Sequence, residues 1–218
     1  MRKKLVIISV LAMSVILAML ASIVLARTYQ PVVEEKVSFT ATSATYPGTV
    51  ATSSSAPENG YDWSSPNNVK AADTSYASIT HASFDAGVIS YRMRCSNFGF
   101  TIPAGSTING ILVEINRYND VGETGKDYRV QLVDDSATLV GTNKAINAAW
   151  QTSVTKASYG GSSDTWSASP TVTMVNDTNF GVMFSAVAID NNCDIYVDYI
   201  RITITYTPPT FVPKITIF

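Results

Sequence analysis

One run limits the fold of this chain more than any other: Asp194-Ile195-Tyr196-Val197-Asp198-Tyr199-Ile200-Arg201-Ile202-Thr203-Ile204-Thr205-Tyr206. From Asp198 onward, Ile200, Ile202, Ile204 and Tyr206 alternate with Tyr199, Arg201, Thr203 and Thr205. A period of two in β-branched and aromatic residues predicts a strand with one buried face. Pro208-Pro209 ends it. A strand this long needs other strands to cover its apolar side, and the run is therefore expected to be the last core strand of a β-sandwich.

The remaining segments fit that expectation. Phe98, Phe100 and Ile102 predict a strand, turned by Pro103-Ala104-Gly105 into a second one whose inward side is Ile111, Val113 and Ile115. Tyr128, Val130 and Leu132 mark another, and Phe180, Val182 and Phe184 the inner face of a further long one. Thr171-Val172-Thr173-Met174-Val175 is expected to be a short strand. No stretch after residue 27 sustains a helical period. Short strands joined by Gly, Pro, Asn and Asp turns predict an all-β antiparallel jelly-roll β-sandwich over residues 61–207.

The first 26 residues stand outside that domain. Met1-Arg2-Lys3-Lys4 is basic, residues 5–26 are uncharged and apolar, and Val24-Leu25-Ala26 has the small-residue character of a cleavage site. Two readings stand: a cleaved secretory signal peptide, or a membrane-spanning helix of about 20 residues with its start in the cytoplasm. Both place the rest of the chain outside, at the cell surface or in the extracellular space. Without Arg2, Lys3 and Lys4, the 15 basic residues fall to 12 against 17 acidic ones, a net charge of −5. No Lys or Arg cluster remains, which excludes a nucleic-acid partner. Residues 27–60, rich in Thr, Ser, Ala and Pro, are either an edge strand plus loop or a spacer.

Export gives the two cysteines a meaning. An even pair in an oxidising compartment predicts a disulfide between Cys95 and Cys193. Closing a loop of about 100 residues would stabilise the fold by roughly 4–5 kcal/mol in the chain-entropy model.

A set of residues then resembles a known module. It comprises Trp63, Pro66, Asn68, Asp73 and Tyr76-Ala77, then Phe98-Gly99-Phe100, Ile102-Pro103-Ala104-Gly105, Ile108 and Gly110-Ile111. Asp164, Trp166, Asn179-Phe180-Gly181-Val182 and Val197-Asp198-Tyr199 complete it. The pattern is similar to the galactose-binding-like jelly-roll modules of phage and prokaryotic extracellular proteins, over about residues 60–207. The resemblance implies a surface or adhesive part and leaves the ligand open.

No catalytic set is present. The one histidine, His81, has neither a metal partner by spacing nor a nucleophile motif near it, and no pair of carboxylates is singled out. The chain is expected not to be an enzyme and to need no cofactor. A structural Ca²⁺ is the exception weighed, with Asp73 the best single ligand and Asp62, Asp190, Asp194 and Asp198 in support. The competing account of Asp73 is an Asp that caps its own turn. Trp63 and Trp166 are candidates for stacking on glycans, against a core role for both. Asn176-Asp177-Thr178 is a glycosylation sequon, with Asn176 the acceptor. After Pro208-Pro209 the chain continues with Phe211, Ile215 and Ile217, an apolar strand. Residues 208–218 either fold back on their own sandwich or add to a neighbouring copy as a donor strand, and residues 32–41 are open to the same role. Two functions follow: the subunit of a surface filament, a homo-polymer joined by terminal strands, or a carbohydrate-binding adhesin.

Overall fold

The computed structural model describes residues 40–122 and 124–209. The leader at residues 1–26, residues 27–39 of the 27–60 segment and the tail residues Phe211, Ile215 and Ile217 lie outside the described residues. Ten strands form two antiparallel sheets. The front sheet has the order β1 (Ala41–Thr45), β10 (Ile195–Thr207), β5 (Thr107–Asn119), β8 (Thr155–Gly160), with β3 (Ala77–Ile79) also paired to β10. The back sheet runs β2 (Thr49–Ser53), β4 (Arg92–Ser96), β9 (Gly181–Ala188), β6 (Gly125–Val133), β7 (Leu139–Val140). Apart from β6 and β7, every successive strand lies in the opposite sheet, so the sandwich is a β-sandwich closed by chain crossings at both ends.

The expected last core strand is the centre of the front sheet. β10 pairs with β5 from Ile195↔Asn119 to Thr207↔Thr107. Ile200, Ile202 and Ile204 meet Ile115, Val113 and Ile111, and all six are fully buried. Each such side chain contributes about 1.5–3 kcal/mol by leaving water. Facing them from the back sheet are Val182 and Phe184 of β9 and Val130 and Leu132 of β6.

Of the two readings of residues 27–60, the described part, residues 40–60, follows the first and supplies the edge strands β1 and β2. Other sequence expectations are corrected. Residues 98–102 form no ladder. Asn97 and Gly99 have positive φ, and Phe98, Phe100 and Ile102 plug the end of the core from a loop. The Ile102 backbone is held by the Asn176 amide, which accepts from its N–H and donates to its carbonyl, each at 2.9 Å. Residues 171–175 are not a strand. Thr171 caps a short helix, α1 (Val172–Asn176), by accepting from the Met174 N–H at 3.1 Å. A local cap outweighs the β propensity of Val172 and Thr173.

The disulfide does not form: Cys95 and Cys193 are not bonded to each other. Cys95 pairs with Val182 at one end of β9. The Cys193 sulfur lies 3.6 Å from where a Gly125 Cβ would stand, and Gly125 pairs with Ala188 at the other end. Six residues of strand separate those positions, about 20 Å, whereas a disulfide needs Cα atoms within about 7 Å. Burial raises the Cys95 thiol pKa far above its usual range, so this sulfur behaves as an apolar core atom.

Candidate functional site: the tyrosine face of the front sheet

A bulge builds the site. Between Val197 and Tyr199 the register of β10 against β5 shifts by one residue. The extra residue, Asp198, lets two tyrosines three positions apart, Tyr196 and Tyr199, both point away from the core. Tyr118, directly across from Tyr196 on β5, points the same way, between the inward Arg117 and Asn119. Tyr76 enters from the residue before β3. The Tyr118 and Tyr196 rings stack at 4.6 Å and 11°. Tyr76 meets them edge-on at 5.3 and 6.1 Å. All three are half-buried, so each keeps ring surface open to solvent. A second pair, Tyr46 and Tyr199, packs edge-on at 5.8 Å further along the same face.

Polar groups frame the rings. The Tyr196 hydroxyl donates to Asp120 at 3.2 Å. Burial, together with the charges of Asp120 and Asp194, holds the Tyr196 hydroxyl well above its usual pKa, and Tyr118 is raised by burial, Tyr76 and Asp120. Both rings therefore stay neutral at every physiological pH. Asp198 is almost fully buried and accepts from the Thr74 N–H at 3.0 Å and the Asn116 amide at 3.1 Å. Toward the middle of the sheet, Glu114 takes Lys156 at 2.7 Å and Arg201 at 2.6 Å. Burial pushes the Glu114 carboxyl up, but hydrogen bonds from Lys156 and Arg201 outweigh it and leave its pKa lowered.

The residues singled out from sequence are placed elsewhere. Trp63 and Trp166 are 4 % and 1 % exposed, which leaves no ring face for a glycan. The Trp63 indole donates to the Tyr91 carbonyl at 3.0 Å and that of Trp166 to Ile111 at 2.8 Å. Gly160, with φ of +75°, makes room for Trp166: a Cβ there would stand 2.4 Å from the indole nitrogen. Trp150 is buried as well and donates to Asp127 at 2.9 Å. Asp73 is exposed and accepts from the Ser75 N–H at 3.0 Å, the turn cap weighed against the Ca²⁺ reading. Among the described residues, no three His, Cys, Asp or Glu side chains gather as metal ligands, so the five aspartates are not brought together. Asn176 uses both ends of its amide on the Ile102 backbone, which corrects its reading as a free glycan acceptor. His81 stacks on Tyr61 at 3.9 Å and accepts from the Ser83 N–H, a local loop contact. Sequence alternation marks Tyr199 as outward, but Tyr196 joins that face only through the bulge at Asp198, which the sequence pattern does not reveal.

No family model and no curated protein matches the chain. Among solved structures it is similar to the CBM22-1 xylan-binding domain of Paenibacillus barcinonensis Xyn10C. That alignment has a TM-score of 0.33 and 11% identity, over 74% of this chain and 85% of that one. Similarity at this level says nothing of what the chain binds.

Proposed function

We propose that the chain is a non-catalytic recognition domain displayed outside the cell, and that the outward tyrosines of the front sheet hold a saccharide. The observation that carries this reading is the cluster of Tyr76, Tyr118 and Tyr196, three half-buried rings fixed against one another on β5, on β10 and just before β3. Pyranose rings present flat C–H faces edged by hydroxyls. A tyrosine offers a flat apolar ring and a hydroxyl with little conformational freedom to lose, and so meets both features.

Position supports the reading too. Ala41 pairs with Tyr206, so the described chain enters and leaves at one end of the front sheet. Tyr196 lies ten residues back along β10, roughly 33 Å away at strand rise. The tyrosines thus occupy the end far from the chain's attachments, where a tethered domain would meet a ligand. The strand path, which switches sheets at nearly every connection, supports a jelly roll. The apolar leader and low charge support export.

Affinity electrophoresis in gels containing single polysaccharides tests the binding. Tyr118→Ala and Tyr196→Ala are each expected to weaken retention about tenfold, the equivalent of about 1.4 kcal/mol, with an unchanged circular dichroism spectrum. Variants retained as well as the wild type would sink the proposal.

The filament reading has one observation in its favour. Pro208 leaves β10 beside β1, which ends the front sheet among the described residues. Strand exchange would make assembly depend on residues 208–218. Light scattering of the whole chain and of a chain ending at Thr207 should then differ, and equal masses would remove this reading.

A further inference from the structure

Carboxylates border the tyrosine cluster. Asp120 is exposed and accepts from the Tyr196 hydroxyl, and the buried Asp198 follows Tyr196 by two residues on β10. Asp198 accepts from two uncharged donors, the Thr74 N–H and the Asn116 amide. Among the described residues, no ion pair includes Asp120 or Asp198. Lys156 and Arg201 carry their charged ends to Glu114, toward the middle of the sheet, where Arg201 lies 6.0 Å over the Tyr199 ring. Arg117 lies on the inward side of β5, bound to Asp127.

A ligand at the cluster therefore meets ring faces, which are themselves electron-rich, together with carboxylates. Ring faces attract cations, and the gain grows as the cation is desolvated. A uronic acid would be repelled by the same groups, and a neutral sugar would gain stacking alone. Resting on the saccharide reading above, we infer that the sugar bound by Tyr76, Tyr118 and Tyr196 carries a protonated amine, as in a polymer of unacetylated hexosamine. The ammonium sits over the exposed ring surface beside Asp120, while the pyranose C–H face lies on the neighbouring tyrosine.

The test compares glucosamine oligomers with N-acetylglucosamine oligomers of matched length, by isothermal titration in mildly acidic low-salt buffer. The whole chain is expected to bind the free amine about tenfold more tightly, and the ratio should shrink as salt rises. Asp120→Asn keeps an acceptor for the Tyr196 hydroxyl and removes one charge, and it should cut the ratio to about threefold. Tyr118→Ala keeps every carboxylate. If it binds the amine oligomer as well as the wild type, the attraction is diffuse and the inference fails. Equal affinity for the two oligomers, or an Asp120→Asn ratio matching the wild type, overturns the inference and leaves the saccharide reading standing. A chain that binds no glycan of any charge overturns both.

Discussion

Replacing Asp127 with alanine is expected to lower the free energy of unfolding by about 3–5 kcal/mol. The reason lies inside the sandwich. Asp127 projects inward from β6 of the back sheet, and Arg117 inward from β5 of the front sheet, so their 3.1 Å ion pair ties the two sheets through the core. Both side chains are buried, at 4 % and 5 % exposure. One carboxylate oxygen also accepts from the Trp150 indole at 2.9 Å, the other from the Tyr159 hydroxyl at 2.8 Å and the Ile146 N–H at 3.0 Å. Burial first, and then the neighbouring Asp127 charge, drive the Tyr159 hydroxyl pKa far above normal, so Tyr159 always donates. Removing the carboxylate leaves a buried guanidinium without a counter-charge, three donors without an acceptor, and the loop through residues 146–150 without its anchor. At roughly 2–4 °C per kcal/mol for a domain of this size, the midpoint should fall by about 6–20 °C. Urea unfolding monitored by tryptophan fluorescence measures it. The double variant Arg117→Met, Asp127→Leu should recover only the part due to the unpaired charge, because the Trp150, Tyr159 and Ile146 donors still lack their acceptor. A single Asp127→Ala variant within about 1 kcal/mol of wild type would mean that water reaches the pair and that the two sheets are not tied there.

The same pair shows what a sequence does and does not disclose. Ile200, Ile202 and Ile204 announce a half-buried strand because alternation is a local property, and the ladder with β5 bears that out. Arg117 and Asp127 look like surface charges, since nothing local marks a charge that faces inward. The bulge at Asp198 is equally silent: Tyr196 and Tyr199 fall on opposite faces by strict alternation, and only an inserted residue puts them together. Alternation also misleads. Phe98, Phe100 and Ile102 have the pattern of a strand, but the Asn176 amide takes the place of a neighbouring strand at Ile102, and the segment stays a loop. Compartment and parity suggest a bond between Cys95 and Cys193, but neither measures distance. Tryptophans drew the glycan reading because large aromatics serve both cores and binding faces, and burial alone separates the two roles. In this chain the core takes the tryptophans and the open face keeps tyrosines.

Glu58 gives the second large effect, and it carries a signature in pH. Its side chain is fully buried on the outward side of the back sheet, where it receives Arg92 at 2.6 Å, the Arg129 guanidinium at 2.5 Å and the Ser185 hydroxyl at 3.0 Å. The contacts fasten residues 55–60 over that face. Glu58→Gln is expected to cost about 2–3 kcal/mol at neutral pH. The effect is smaller than at Asp127 because the arginine side chains keep 21% and 16% exposure and can recover water. Burial pushes the Glu58 carboxyl up, but the hydrogen bonds of Arg129 and Arg92 and the charge of Arg129 overcome it, so its folded pKa lies below the ordinary 4.5. A depressed folded pKa means that the stabilisation is complete above the unfolded value and is lost as pH falls through the folded one. The difference between wild type and Glu58→Gln, followed by urea unfolding, should therefore hold steady from neutral pH down to about 5 and shrink below about 4.5. A difference that stayed constant into the acid range would show that the glutamate acts through its shape and hydrogen bonds, with its charge contributing nothing to holding residues 55–60 on the sheet.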